Sequence, residues 1–557
     1  MNTVEDIGGC GSCSLRSNVH VCENTADTID AIKLNDMPYA PGARYTQEKG
    51  CLPGTRESVL REICDVLNNP DQDAPQVCLL TGVAGSGKSA IAHSIARLYD
   101  GQKRLGSSYC FSSSDVARRN PQNLFTTIAC DLADTDCQYK SALWKIVKDN
   151  RALRTSPSPS EQIERLIVEP SVHLHAIGPL VIVIDALDES GNADNRRQLL
   201  DALSRNLTER ELPTNLRFLI TSRPEEDIVG TLSTRPPVVC KHLGDVPDAV
   251  TDKDIERFIH HSLHQYTELD SFWPNQEWCR LLVRHSQHLF QWAATACRFI
   301  QGIGSGGLDR RKRVRMLLHS DNNGSHRPLD ELYCKILGQL FPLDEGQKYF
   351  REVMALLLAL KEPLSLVSLS ALFDSNEDLS VQAVIKPMGS LLDGVLDEQK
   401  PIRPLHTSFR DFLLDKARSY AFHIHIVPDH SLFIGRALLA CMRGMLRFNI
   451  CDLKDSRLRN TAVPKLADQV NKAIPPGLSY ACLYWMDHLQ SANCTPDLLN
   501  EVTQFFKGHF PYWLEAISLL SLSSPLSSIL SAIQTCTILM TWAKVRSSLL
   551  IEVGYSQ

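Results

Sequence analysis

At 557 residues the chain is too long for one ordinary core and points to three or four domains of roughly 100 to 200 residues each. Its 43% hydrophobic and 22% charged residues exclude disorder over most of the length. A net charge of -6 provides no sequence-wide basic surplus, so neither nucleic acid nor an anionic membrane is an expected partner.

The first residues, through Cys13, contain Glu5 and Asp6 and no apolar stretch, which is not the pattern of a secretory signal. Asn2 stands where N-myristoylation needs glycine, and the cytoplasm is the expected compartment. Cys10 and Cys13 form a lone CxxC with no second ligand pair at metal spacing, so a flexible tail is a better reading than zinc or redox chemistry. The 18 cysteines are scattered through apolar stretches and read as reduced thiols. Residues 1–50, broken by Pro38, Pro41 and Gly42, read as a partly flexible lead-in segment.

From Glu57 to Leu67 apolar positions recur at helical spacing, and Asn68, Asn69 and Pro70 stop the helix. A strand over Val77–Thr81 enters a glycine loop, and a helix runs from about Lys88 to Tyr99. Two more continuous apolar runs, Leu180–Ile184 and Leu216–Thr221, have the character of strands buried on both faces of a parallel sheet. Together they predict an α/β nucleotide domain. Beyond about Asp245 helical periodicity takes over, and no repeat period is present. The basic run Arg310–Arg315 reads as a solvated helix face rather than a localisation or phosphate patch. The uncharged stretch from Ala516 to Ala543 contains Pro525 and seven serines, which suits buried helices better than a membrane span.

The loop Gly82-Val83-Ala84-Gly85-Ser86-Gly87-Lys88-Ser89 matches the G-x-x-x-x-G-K-[ST] phosphate loop in full, with a strand before it and a helix after it. In that context backbone N–H groups and the helix N-terminus point at one phosphate, Lys88 reaches the β and γ phosphates, and Ser89 ligates Mg²⁺. Glycines 82, 85 and 87 keep the loop free of side chains that would crowd the phosphate. Asp185, at the end of the second apolar run, is the expected second Mg²⁺ residue. Glu189 is placed to polarise the attacking water, with Asp188 as rival or helper. Arg223, at the end of the third run, can sense the γ phosphate or pair on the surface with Glu225 or Glu226.

These motifs, in this order and spacing, resemble the fungal NACHT group of STAND signalling ATPases, of the nephrocystin 3-like and heterokaryon-incompatibility type. The segment Cys51-Leu52-Pro53-Gly54-Thr55-Arg56 resembles the family's lead-in, expected near the base. Leu289–Ala296 resembles its helical-domain motif, with His288 where a glycine usually stands. Pro404–Leu413 resembles its winged-helix segment, whose histidine, here His406, would contact the β phosphate of ADP or simply pack. The resemblance implies an α/β P-loop NTPase domain followed by helical, winged-helix and all-helical C-terminal regions. The corresponding boundaries are 51–245 for the nucleotide domain, 246–330 helical, 331–420 winged-helix-like and 421–557 C-terminal helical.

It further implies a switch that binds and slowly hydrolyses ATP with Mg²⁺, is held closed by ADP, and associates with itself or with related STAND proteins in non-self recognition or innate-immunity-like signalling. GTP is not excluded, because the loop reads phosphates and not the base. The chain has no recognisable effector or repeat-sensor domain, which leaves open a non-hydrolysing scaffold or a truncated regulatory paralogue. A small-molecule kinase would not explain the helical second half.

Overall fold

The computed structural model describes residues 34–520, apart from 35, 72–73, 176–177, 209–214, 234–237, 265–275, 304–308, 320–326, 375–379, 456–457 and 491–495. The Cys10/Cys13 pair, Asn2 and most of the 516–543 stretch lie outside the described residues. No helix among those described is long and apolar enough to cross a membrane.

Helix α1 (Glu57–Asn68) precedes strand β1 (Val77–Thr81), and helix α2 (Lys88–Gly101) leaves the loop that follows it. Strand β2 (Leu105–Cys110), helix α3 (Gln122–Thr135), strand β3 (Leu180–Asp185), helix α4 (Ala193–Thr208), strand β4 (Leu216–Ser222) and strand β5 (Val238–His242) complete the α/β frame. The strands form one parallel sheet in the order β2-β3-β4-β1-β5. Alternate residues explain the continuous hydrophobicity: Leu180, Ile182 and Ile184 of β3 join the core with α3 and α4, while Val181 and Val183 join the one with α1 and α2. Since β4 lies between β1 and β3, the ends of all three strands open onto one edge, where open α/β sheets place ligands.

Two strands escape the apolar-run criterion. In β2, Gly106-Ser107-Ser108 interrupts hydrophobicity, but both serines have partners: Ser107 donates to Asp131 Oδ2 at 2.6 Å, and Ser108 Oγ accepts from Tyr45 N at 3.0 Å. The edge strand β5 is only half-buried, so its pattern is weak.

The lead-in is docked where it is described. Met37, Ala40 and Ala43 are buried, and the Tyr45 hydroxyl donates to Asp100 at 2.6 Å.

Beyond the sheet the chain is mainly helical, through α5 (Asp248–His264), α6 (Phe290–Gln301), α7 (Arg310–Leu318) and α8 (Pro328–Leu340). A two-stranded antiparallel pair, β6 (Leu392–Asp393) and β7 (Arg403–Pro404), leads into α9 (Thr407–Leu414). Helices α10 (Pro428–Met445), α11 (Pro476–Gln490) and α12 (Pro496–Leu519) follow. One continuous apolar cluster runs through this half, from Ile255 to Leu519.

Two details revise the sequence reading. His288 adopts φ +65°, a left-handed conformation that explains the usual glycine there. Its Nδ1 lies 2.8 Å from Asp252 Oδ1, and α6 still packs through buried Ala293 and Ala296. In the basic run, Arg311, Lys312 and Arg315 are exposed as expected, but Arg313 is buried and donates to the Phe299 carbonyl at 2.9 Å.

Gly394 turns β6 toward β7 with φ +83°, and a Cβ there would lie 2.5 Å from the Pro401 carbonyl oxygen. Gly394→Ala is therefore expected to destabilise this region by about 2 kcal/mol, read as an earlier thermal transition that Gly101→Ala, where a Cβ meets open space, does not show.

Candidate functional site

The loop Gly82–Ser89 runs from β1 into α2 with left-handed Gly85 (φ +82°) and Gly87 (φ +99°). A Cβ on Gly85 would lie 2.8 Å from Gln291 Cβ, so glycine is needed for the close approach of α6 as well as for its conformation. Gln291 N donates to the Gly85 carbonyl at 3.1 Å. Lys88 is buried, and its Nζ donates to the carbonyls of Gly82 and Val83 at 2.8 and 3.0 Å. Burial lowers its pKa, opposed by Asp188 and Asp185.

Asp185, at the end of β3, is buried and accepts from the Thr221 hydroxyl at 2.5 Å. Ala186 N donates to the same hydroxyl at 3.1 Å, so the tip of β4 orients the carboxylate. Asp188 and Glu189 separate in role. Asp188 turns to Arg223, accepting from its backbone N at 3.0 Å and pairing with Nε at 3.1 Å. Glu189 faces the cleft, where its Oε2 accepts from Ser113 N at 2.8 Å. Burial pushes its pKa up to about 7, against the hydrogen bond from Ser113.

Arg223 pairs with neither Glu225 nor Glu226 among its described contacts. Its Nη1 lies 2.8 Å from Asp411 Oδ2, and its Nη2 donates to Thr407 Oγ1 at 2.9 Å. Both partners lie on α9, nearly two hundred positions away in sequence, so one guanidinium joins the sheet edge to the second half. His406 caps α9: its Nδ1 accepts from Ser408 N at 3.1 Å. That bond puts the proton of the neutral ring on Nε2 and makes it a donor. Burial, then Arg223 and Lys88, pushes the His406 pKa down to about 4.

A cavity of about 790 Å³ is lined by Lys88, Ser89, Asp185, Glu189 and His406, together with Phe290 of α6. Its size is in the range of ligand pockets, about 300 to 1,000 Å³. The loop fits a polyphosphate: it is glycine-lined, with a cation beside it and a buried Ser86 Oγ that has no hydrogen-bond partner among the described residues. Ser89 and Asp185 offer the hard oxygen donors that suit Mg²⁺.

Two site residues have weak sequence signals. Arg56, left-handed at φ 57°, is buried under the loop, donates through Nη2 to the Ser86 carbonyl at 3.0 Å, and lies over the Phe290 ring at 4.9 Å. Its backbone N donates to Asp254 Oδ2 at 2.8 Å, so the Cys51–Arg56 segment ties the loop to α5. His93 on α2 accepts from Thr46 N through Nδ1 at 2.9 Å. His93, Cys110 and Asp185 bring ligand atoms within 4.8 Å of one another. With Nδ1 engaged and Nε2 protonated, the neutral histidine has no bare nitrogen to give a metal ion. A histidine four residues after the phosphate-loop serine carries no motif that would have marked it.

Residues 54–223 match the family model described as Nephrocystin 3, N-terminal. The chain is 25% identical over 368 residues to the vegetative incompatibility protein HET-E-1 of Podospora anserina, a match covering 61% of the chain and 25% of that protein. It thus spans about a quarter of that relative's length. A Signal Transduction ATPase with Numerous Domains (STAND) protein with a tetratricopeptide repeat sensor, from Pyrococcus horikoshii, aligns with 86% of the chain and 60% of its own at 12% identity, with a TM-score of 0.39.

A double-mutant cycle between Arg223→Gln and Asp411→Asn should give a coupling of about 1 kcal/mol, since the Asp411 side chain is 39% exposed and screened by solvent. Additive shifts in the unfolding midpoint would remove the bridge.

Proposed function

We propose that this chain is a nucleotide-dependent signalling switch that binds ATP, or GTP, with Mg²⁺ and hydrolyses it slowly. The observation that carries the reading is the convergence on one cleft of the phosphate loop, Asp185, Glu189 and the α9 segment, with Arg223 bridging the sheet edge to α9. In this reading 51–245 is the nucleotide domain, 246–330 the helical domain, 331–420 the winged-helix region and 421–557 the helical C-terminal region.

The loop N–H groups and Lys88 hold the phosphates, and Ser89 and Asp185 hold the Mg²⁺. Bound Mg²⁺ supplies charge neutralisation at the phosphate oxygens. Glu189, with Oε2 fixed by Ser113, takes a proton from water at Oε1, and does so only when ionised. His406 donates from Nε2 toward the phosphates, and Arg223 reports their state to α9 through Asp411 and Thr407. ADP and ATP then shift the switch only as far as they bind the closed and open arrangements with different affinities. The relative's printed role in vegetative incompatibility supports non-self recognition, with self-association or association with related proteins as the output.

Phosphate release from Mg²⁺ and ATP, beside GTP, tests the reading. Lys88→Ala should abolish nucleotide binding, whereas Glu189→Gln should keep binding and slow turnover by about a hundredfold or more. Native-rate turnover by Glu189→Gln would remove Glu189 as the base. Nucleotide binding without turnover in the parent chain would leave a scaffold.

The same assay has a pH signature. Because the Glu189 pKa is raised to about 7, the ionised base is lost below it, and turnover should rise as pH increases through about 7. A flat profile between pH 6 and 8 would contradict the assignment.

A further inference from the structure

Beside the nucleotide cleft lies a smaller, partly open chamber of about 200 Å³, lined by residues 113, 114 and 119, the segment 357–363 and the approach to α9. It shares Ser113, Arg403 and Arg410 with the large cleft, so the two adjoin. Three guanidinium groups from separate parts of the chain meet there: Arg119, Arg403 on β7 and Arg410 on α9, with Lys361 at the wall.

Nearby carboxylates are engaged or offer little neutralisation. Asp115 is 3.8 Å from Arg403 Nη2, Glu362 accepts from the Tyr484 hydroxyl, and Glu189 is held by Ser113 N. Asp411, next to Arg410 in sequence, is taken by Arg223. Among the described residues Arg410 makes no hydrogen bond or ion pair, and the buried Nε of Arg403 has no hydrogen-bond partner. Arg119 has only a 3.4 Å contact from Nη1 to the Ser113 carbonyl. Buried donors are normally satisfied, and a cluster of guanidinium groups with spare N–H bonds matches a tetrahedral oxyanion. Burial, then Arg119, lowers the Arg410 pKa, and Asp411 and Glu189 oppose that shift only in part.

We propose that this chamber is a second oxyanion site, taking a phosphate ion or the phosphoryl group of a small metabolite, separate from the place of the nucleotide phosphates on the loop Gly82–Ser89. Its volume lies below the roughly 300 Å³ where drug-sized pockets begin, which favours an ion or one phosphoryl group over a nucleoside. The site rests on the arginines and the cavity, and it uses the nucleotide reading only to locate the neighbouring phosphates. An anion there would tie residues 113–119 to the approach to α9, across the boundary that Arg223 also bridges.

Calorimetric titration of the full chain with inorganic phosphate, at constant ionic strength and with or without saturating Mg²⁺ and ADP, tests this. Phosphate should bind in the presence of ADP, and Arg119→Gln should weaken it by about tenfold or more while leaving ADP affinity intact. Arg119→Lys, which keeps the charge but loses the fork, should fall between, and thermal melting checks that each variant is folded. Ribose 5-phosphate in a second arm separates the sources: tighter binding than inorganic phosphate assigns a metabolite's phosphoryl group, and weaker binding assigns the free ion. Phosphate binding that ADP displaces, absent phosphate binding, or equal affinity in folded Arg119→Gln would overturn the site. Arg119-dependent phosphate binding by a chain that fails to bind ADP would retain the chamber and remove the nucleotide reading.

Discussion

The position of β4 between β1 and β3 is the constraint on which the rest of the site depends. It puts Thr221 within hydrogen-bonding reach of Asp185 and sets Arg223 against Asp188. Parallel register makes this possible, because all the strand ends then face the same edge. An antiparallel β4 would have delivered its other end there. The ion pair of Arg223 with Asp411 is thus a consequence of sheet order as much as of charge.

Buried charge is concentrated at this edge. Lys88 lies buried there, where its charge alone would be costly, and Asp188 and Asp185 offset that cost while both push the Glu189 pKa upward. The compensation is unequal. Asp188 has a guanidinium beside it, whereas Glu189 has one backbone N–H and no adjacent cation among its described hydrogen bonds and ion pairs. That inequality separates two neighbouring carboxylates into a positioning group and a titrating one.

Much of this was legible in the sequence, for local reasons. The phosphate loop is contiguous, and β1, β3 and β4 are buried on both faces, so their composition shows them. The polar middle of β2 concealed it because its serine partners, Asp131 and Tyr45, are distant in sequence. Asp188 and Glu189 could be named together but not told apart, since what divides them is Ser113 on one side and Arg223 on the other. Arg56 and His93 act through tertiary contacts with the Ser86 carbonyl and Thr46 N, which spacing alone does not encode. His288 was visible as a departure from a glycine, but its remedy, the contact with Asp252, was not.

The apolar cluster from Ile255 to Leu519 is continuous, while the sheet keeps two clusters of its own. Several contacts that tie the halves together are of another kind: Arg223 to Asp411, Arg56 N to Asp254, Gln291 N to the Gly85 carbonyl, and Arg56 over Phe290. Hydrogen bonds and ion pairs of this sort can be exchanged for water at modest cost, whereas splitting an apolar core cannot. The molecule therefore has a natural seam, running along the cleft rather than through any of the three clusters. Parting along it would wet the arginines and carboxylates that line the cleft while leaving all three clusters dry.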